Sequence, residues 1–400
     1  MKRSTDRILT THVGSLVRTP EIIEAMITRA NGATVDEADY AQKLRTGVAE
    51  VVRRQAAAGI DVVSDGEFGK LGWIPYVGER FAGFTPLKLP LEEYTRVLPE
   101  QERFGDFYRQ YASFECMLWL PEVPSKASYK GTMGLFACTG PVQYQAKLLE
   151  RDLANFRNAL QGVKVEEAFM PVVAPCSLEM FPNTHYKTQD DYLFALADAL
   201  RAEYRAIVDA GFILQVDDAI LPMRASMMQV GSSMKEYHAW AQVRIDALNQ
   251  ALRGIPREKV RYHICWGSQN MPHTSDVPLA QIVDLILKVN AGAFLIEAAN
   301  PRHEHEWQVW QDVKLPDGAI LVPGMICHST NVVEHPELIA WRLENFARLL
   351  GRENIMAGTD CGFSQDWNLV RMHPQVQWAK LESLAEGARL ASRKLWSRAA

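Results

Sequence analysis

Short apolar runs alternate along the chain with longer segments whose apolar residues recur every three or four positions. The short runs have the length and β-branched content of buried strands, and the longer segments have the period of amphipathic helices. Eight runs predict strands, at residues 8–13, 60–63, 168–174, 212–217, 260–265, 293–297, 320–326 and 355–359. The helical period predicts helices at residues 36–57, 147–160, 190–210, 234–252, 279–289 and 337–350. This alternation predicts an α/β fold with parallel strands.

Polar side chains suited to catalysis or metal binding stand at or just after the carboxyl ends of these predicted strands. They are Ser15, Glu67, Asp217, His263, Cys265, Glu297, His328 and Cys361. A closed (β/α)8 barrel brings all of its strand ends to one mouth, where its chemistry takes place. A doubly wound sheet, the alternative, would spread the same residues along a line. We therefore predict one (β/α)8 TIM barrel over residues 1–400.

Residues 70–132 interrupt the alternation with proline, glycine, aromatic residues and short β-like runs such as residues 114–120. The stretch is too long for an ordinary loop. We predict an insertion after the second strand that covers part of the barrel. A further β-like run at residues 135–139 is counted with this insertion, which leaves eight strands for the barrel.

Composition narrows the classes of function. The 400 residues are 48% hydrophobic and 23% charged, which is enough apolar material for a large core. A formal net charge of −5 without basic runs argues against nucleic acid, so a small-molecule partner is expected. No apolar stretch has the length of a signal peptide or a membrane span, which predicts a cytoplasmic protein that does not bind membranes. A homo-oligomer is compatible with the sequence.

A metal site is predicted from four residues at three strand ends. His263 and Cys265 are two positions apart on one strand, so their side chains project to the same face. Glu297 and Cys361 follow later strands. One nitrogen, two thiolates and a carboxylate suit tetrahedral Zn²⁺, and the carboxylate exchanges most readily for a substrate sulfur. These residues predict a catalytic zinc site, whereas a His-x-Cys pair taken alone is more often two packed core residues.

Seven ordered motifs together resemble the catalytic barrel of cobalamin-independent methionine synthase. They are Thr11-His-Val-Gly-Ser15, Asp65-Gly-Glu67-Phe, Gln215-Val-Asp217-Asp218, His263-Ile-Cys265, Ile296-Glu297-Ala, Pro323-Gly-Met-Ile-Cys-His328-Ser and Asp360-Cys361-Gly. The resemblance implies a zinc ion held by the four residues named above. It also implies that Ser15, Glu67 and Asp217 hold homocysteine and that His328 assists methyl transfer.

The chemistry of such a transfer explains these residue types. A thiol with a pKa of about 8.5 is mostly protonated at neutral pH, and coordination to zinc removes the proton. The sulfur then attacks an alkyl carbon whose leaving group needs a proton, which His328 would supply or relay. Glu67 and Asp217 would hold the ammonium of an amino-acid thiol. His12, directly before the Val-Gly-Ser turn, either contacts the substrate or packs in the core.

Two features of the sequence stay outside the predicted site. The run from Asn300 to Trp307 is rich in histidine and glutamate, but it begins a helix, where the helix dipole favours acidic residues. His303 and His305 lie on different faces of that helix. Trp73 and Trp266 could stack a pterin, although packing is the commoner role of tryptophan.

Three functions are compatible with the sequence. The first is a zinc-dependent methyltransferase that moves a methyl group to homocysteine or a similar thiol from a folate or another small donor. The second is a zinc thiol alkyltransferase of the epoxide:coenzyme M type, and the third is a non-catalytic zinc-binding or ligand-binding barrel. The full-length synthase has an additional N-terminal barrel, for which 400 residues have no room. Asp218 and Ala219 also replace the family's usual Glu and Pro, so the alkyl donor stays open.

Overall fold

The structure, a computed structural model, describes residues 1–30, 33–87, 100–110, 136–228, 233–268, 271–366 and 372–397. Its strands are β1 (Val62–Val63), β2 (Phe81–Pro86), β3 (Phe136–Tyr144), β4 (Glu167–Val173), β5 (Ile213–Asp217), β6 (Val260–His263), β7 (Ala293–Ile296), β8 (Ile320–Ile326) and β9 (Gly358–Thr359). Seven of these form one sheet in the order β1-β4-β5-β6-β7-β8-β9. Every neighbouring pair in that sheet is parallel.

The N-terminal segment joins the two edges of this sheet. Thr11 forms a parallel bridge with Val62 of β1, and Thr10 forms one with Ala357, just before β9. The Thr11 amide donates to the Ala357 carbonyl at 2.8 Å, and the Val62 amide donates to the Thr10 carbonyl at 3.0 Å. The segment therefore occupies the eighth strand position and closes the barrel. The predicted (β/α)8 barrel is confirmed, and the open doubly wound sheet is wrong because the edge strands are joined.

Helices follow the strands around the outside of the barrel. They are α1 (Pro20–Ala30), α2 (Glu37–Ala57), α3 (Val77–Arg80), α4 (Glu100–Arg103), α5 (Gly105–Gln110), α6 (Lys147–Ala159), α7 (Pro175–Leu178), α8 (Gln189–Asp209), α9 (Ile220–Met228), α10 (Met234–Ala251), α11 (Val283–Ile286), α12 (Pro336–Leu350) and α13 (Pro374–Ser397). Short 3-10 helices span Arg257–Lys259, Leu279–Gln281, Glu304–Gln311 and Arg352–Asn354.

Local sequence signals account for the starts of several of these helices. The Asp36 side chain accepts from two amides at the start of α2, and Ser233 forms a capping box with Glu236 at the start of α10. The helix predicted at residues 279–289 is shorter than expected. Ile282 (φ −129°, ψ −9°) leaves helical geometry and separates a 3-10 turn from α11. The helical period did not predict α1, α3, α4, α5, α7, α9 or α13.

A strand inside the predicted insertion pairs with the strand that follows the insertion, in a sheet separate from the barrel. β2 and β3 are antiparallel, and the β-like run at residues 135–139 overlaps β3. Counting that run with the insertion therefore agrees with the sheet order. Residues 88–99 and 111–135, including the β-like run at residues 114–120, lie outside the described residues. The bounds 70–132 remain a prediction.

Alternate strand residues divide the core into two layers. Along β7, Ala293 and Leu295 pack in the smaller cluster inside the barrel, while Phe294 and Ile296 pack in the larger cluster beneath the helices. Cys265 and Cys361 belong to the inner cluster. The inner layer therefore ends in two thiols at the carboxyl ends of the strands. Across the described ranges, no helix has both the length and the apolar content needed to cross a bilayer.

Candidate metal centre

Three of the four predicted metal ligands meet at the mouth of the barrel. His263 ends β6, Cys265 follows two residues later, and Cys361 comes directly after the residue that follows β9. One ligand atom from each lies within 4.8 Å of the other two, and all three side chains are buried. Zinc bonds of about 2.0–2.3 Å require ligand atoms about 3–4 Å apart, so small side-chain shifts complete a site. The nitrogen and two sulfurs therefore fit a metal ion.

Asp217 orients the imidazole of this group. His263 Nδ1 lies 2.9 Å from Asp217 Oδ1, and Gln215 Nε2 donates to the same oxygen at 2.8 Å. His263 Nε2 lies 3.3 Å from the Asp360 carbonyl, beside Cys361. A carboxylate bonded to one ring nitrogen fixes the tautomer and leaves the other nitrogen for a metal. The structure thus places Asp217, predicted to hold substrate, directly behind a candidate ligand.

Cys361 has the charge state that a metal ligand needs. A hydrogen bond from Cys265 holds the pKa of Cys361 well below its usual value, against the effect of burial. The positive charge of His328 and a hydrogen bond from His263 act in the same direction. Ser268 Oγ donates to Cys361 Sγ at 3.5 Å. Cys361 is therefore stabilised as a thiolate, the form that binds metals.

Burial alone would lower the pKa of His263, but hydrogen bonds to Asp217 and Cys361 raise it to about 10. The imidazole and the Cys361 sulfur therefore favour opposite charges on each other. Burial also raises the pKa of Glu297 to about 8, with the charge of Asp360 adding to the effect.

Glu297, the fourth predicted ligand, lies beside the three but faces other partners. Its Oε1 accepts from the Trp266 amide at 2.9 Å, and its Oε2 accepts from Asn300 Nδ2 at 2.6 Å. Among the described residues, the group with mutually close ligand atoms is His263, Cys265 and Cys361. The structure therefore brings Glu297 to the mouth without including it in that group.

Two further predicted substrate residues lie at the same mouth. Ser15 Oγ accepts from the Ser364 amide at 3.3 Å, which places Ser15 against the loop that carries Cys361. Glu67 is buried and has φ 60°, a left-handed conformation that is strained for a residue with a side chain. Burial raises the pKa of Glu67 to about 7, and the Asp217 charge contributes although Lys70 opposes it. Lys70 Nζ lies 3.4 Å from Glu67 Oε2, so a cationic ligand at this carboxylate would share it with Lys70.

His12 is held by internal partners. Its Nε2 lies 2.7 Å from Gln55 Oε1, and its Nδ1 accepts from the Gly14 amide at 3.1 Å. Gln55 Oε1 also accepts from the Ser64 amide, so it is the acceptor and His12 Nε2 carries the proton. Burial lowers the pKa of His12 to about 4. These contacts favour packing over substrate contact.

His328, the predicted catalytic residue, is buried after β8 and close enough to Cys361 for its charge to lower the pKa of that thiol. The peptide before it is held on both sides. The Cys327 amide donates to Glu334 Oε1 at 2.8 Å, and Lys380 Nζ donates to the Cys327 carbonyl at 3.0 Å. The position of His328 therefore depends on a buried ion pair between the loop and α13.

The histidine-rich run bonds partners other than the three His/Cys ligands. His303 bonds Glu306 at 2.7 Å and Asp276 at 3.2 Å, and its ring stacks on Trp266 with centroids 4.1 Å apart. His305 is exposed. Trp266 is buried and donates its indole N–H to the Val277 carbonyl, so this stack forms a wall of the centre rather than a platform for a pterin.

Sequence reasoning missed several residues that support the centre. Asp360 accepts from the Ala298 and Ala299 amides at 2.8 and 2.9 Å, which ties the loop after β7 to the one carrying Cys361. Asn300 contacts both Glu297 and Asp360. Their positions in the sequence could have identified them, because Asp360 directly precedes Cys361 and Asn300 stands three residues after Glu297.

A family model described as the cobalamin-independent synthase catalytic domain matches residues 8–90 and 181–380, more than half of the chain. The protein belongs to this family. The resemblance that the seven motifs carry is therefore confirmed. The two matched segments contain every residue of the candidate centre.

Named relatives of this cobalamin-independent synthase domain differ in activity. A methionine synthase of Sulfolobus acidocaldarius is 28% identical over 70% of this chain and 68% of its own length. A 2-hydroxypropyl-CoM lyase of Xanthobacter autotrophicus is 20% identical over 88% of this chain and 86% of its own length. A solved B12-independent methionine synthase from Shewanella sp. W3-18-1, in complex with selenomethionine, has a TM-score of 0.71 at 17% identity, covering 98% of this chain and 99% of that chain. This last likeness supports the barrel fold.

Proposed function

We propose that this protein transfers a methyl group to the sulfur of homocysteine or a similar amino-acid thiol at a zinc centre. His263, Cys265, Cys361 and Glu297 would hold the ion. The observation that carries the proposal is the buried group of one imidazole and two cysteine sulfurs whose ligand atoms lie within 4.8 Å of one another. Bound zinc supplies Lewis acidity, which keeps a coordinated thiol ionised at neutral pH.

Glu67 and Asp217 suit the amino end of such a substrate. Both carboxylates lie at the mouth, and Asp217 raises the pKa of Glu67 through its negative charge. An ammonium between them would relieve that repulsion and fix the sulfur near the ligands. Asp217 uses Oδ1 for His263 and Gln215, so its Oδ2 is the oxygen that would meet the substrate. Ser15 would contribute at the neighbouring turn.

His328 is proposed to move the proton that the leaving group needs. It is buried, and its charge reaches Cys361. The Glu334–Lys380 pair holds the adjoining peptide, so the imidazole would be presented without reorganisation. The inner apolar cluster of the barrel ends at Cys265 and Cys361, beside the place where the thiol would bind.

A thiol alkyltransferase acting on an epoxide is the second candidate, because the 2-hydroxypropyl-CoM lyase matches most of the chain. A sulfonate thiol has no ammonium for Glu67 and Asp217 to bind. These buried carboxylates therefore favour an amino-acid thiol. We place the reaction in the cytoplasm, because a reducing compartment keeps the centre's thiols available for metal.

The proposal is tested by assaying purified protein with homocysteine or coenzyme M against methyl donors and epoxides, with mass detection of new thioethers. Homocysteine with a folate or another N-methyl donor is expected to give methionine. His328→Asn should retain zinc and homocysteine binding while turnover falls by about 100-fold or more, as for loss of a general acid. A protein that binds zinc yet produces no thioether with any pair would contradict the proposal and favour a binding module.

A further inference from the structure

The carboxylate of Glu297 is held by two donors from the loops around the metal centre. Trp266 donates its backbone N–H to Oε1 at 2.9 Å, and Asn300 donates from Nδ2 to Oε2 at 2.6 Å. Glu297 itself is only 4% exposed. Each oxygen of this buried carboxylate thus has a protein donor, which offsets part of the effect of burial that raises the pKa of Glu297 to about 8.

The orientation of the Asn300 amide is fixed by its other contacts. Its Oδ1 accepts from the backbone amides of Arg302 and His303 at 3.0 and 3.2 Å. The opposite side of the amide must therefore carry the NH₂ group. That group faces Glu297 Oε2 and, at 3.2 Å, Asp360 Oδ2. Asn300 is thus an oriented donor between two carboxylates.

Asp360 makes this donor rigid. It accepts from the Ala298 and Ala299 amides, so the turn between Glu297 and Asn300 is tied to the residue directly before Cys361. Hydrogen bonds therefore link the donor to Glu297 with the loop that carries one thiolate. A fixed donor costs less conformational entropy to use than a mobile side chain.

A carboxylate that leaves a buried metal needs a partner. Displaced from the ion without one, it would be an unpaired buried charge, which is strongly unfavourable. The Asn300 amide and the Trp266 N–H supply that partner beside the three His/Cys ligands.

We propose that Asn300 is a positioning residue that receives the Glu297 carboxylate when a substrate thiolate takes its place among the metal ligands. The inference rests on the proposed function and adds a determinant of how readily the thiol enters. Asn300 would not contact the reacting atoms. It would set the balance between Glu297 at the metal and Glu297 held by the loop.

The test uses full-length protein loaded with Co²⁺, whose visible spectrum responds to sulfur ligation. Asn300→Asp keeps an oxygen that caps the Arg302 and His303 amides but removes the donor, and Asn300→Ala removes both. Asn249→Ala, which loses a hydrogen bond to the Lys288 carbonyl before β7, is the control at the other end of the barrel. Homocysteine is titrated into each protein, and Co²⁺ release to a chelator is measured separately.

Both Asn300 variants are expected to bind homocysteine about tenfold more weakly, the effect of losing one charge-assisted hydrogen bond. They should retain Co²⁺ at least as tightly as the parent, because Glu297 is left on the metal. A structural defect would weaken thiol binding and metal binding together. Either that result or unchanged thiol binding would overturn the role proposed for Asn300 and leave the proposed function intact. A parent protein whose Co²⁺ spectrum does not respond to homocysteine overturns the proposed function as well.

Discussion

At the scale of single residues, the centre depends on side chains whose charge state is set by their neighbours. Cys361 is kept as a thiolate by Cys265, His328 and His263, although it is buried. His12 is kept neutral because burial lowers its pKa to about 4. The protein therefore stabilises the negative charge of the Cys361 thiolate and disfavours a positive charge on the His12 imidazole.

Cys361→Ser tests the metal centre directly. Replacing the thiolate by a neutral hydroxyl should lower zinc affinity by more than about 100-fold, since loss of a mere outer partner of a ligand typically costs 10–100-fold. Zinc per chain is measured by mass spectrometry after dialysis. Cys327→Ser is the control, because Cys327 is buried nearby and bonds Ser329 at 3.1 Å instead of joining the His/Cys group. Equal zinc in the Cys361→Ser variant and the parent would remove Cys361 from the site.

His12 makes stability depend on pH. The unfolded chain binds this proton near pH 6.5 but the folded protein only near pH 4, so the free energy of unfolding should fall as pH drops between these values. The loss is on the order of 3 kcal/mol. Urea unfolding of metal-free protein at several pH values measures it. A His12→Gln variant should show a smaller fall, and an identical slope in both proteins would refute the assignment.

At the scale of elements, the strands were predictable because buried parallel strands are short apolar runs with polar residues at their ends. Helix α13 was missed because its buried face includes Gln377, Lys380 and Ser383, which obscure the apolar period. The candidate metal ligands were predictable too, because each stands at or just after a strand end. The direction in which the Glu297 side chain points was not predictable, because it depends on hydrogen-bond donors in loops whose conformation the sequence does not reveal.

Lys380 links α13 to the loop after β8. Its Nζ is fully buried and lies 2.9 Å from Glu334 Oε2. Lys380→Met would remove the cation beside the Glu334 carboxylate, which keeps the Cys327 amide as a donor, so we expect a loss of about 3 kcal/mol in the free energy of unfolding. Chemical denaturation measures the loss. Adding Glu334→Gln to Lys380→Met should recover part of it, and purely additive effects would show that the two side chains are not coupled.

At the scale of the whole molecule, we expect the barrel to keep its fold without the metal. Its core includes the layer under the helices and the inner cluster, and the centre occupies only one end of the latter. Metal removal by a chelator should therefore lower the melting temperature while far-UV circular dichroism and cooperative unfolding persist. A chain that unfolds at room temperature on chelation would instead indicate a structural metal.

The bridges that seat the N-terminal segment against Val62 and Ala357 also constrain how the protein is made. This N-terminal segment can pair with Val62 early, but it cannot pair with Ala357 until that residue has left the ribosome. At typical synthesis rates of 5–20 residues per second, Thr10 waits roughly 20–70 s for that partner. During translation the nascent chain therefore exposes an apolar strand edge, so we expect this protein to need chaperone protection during synthesis more than after release.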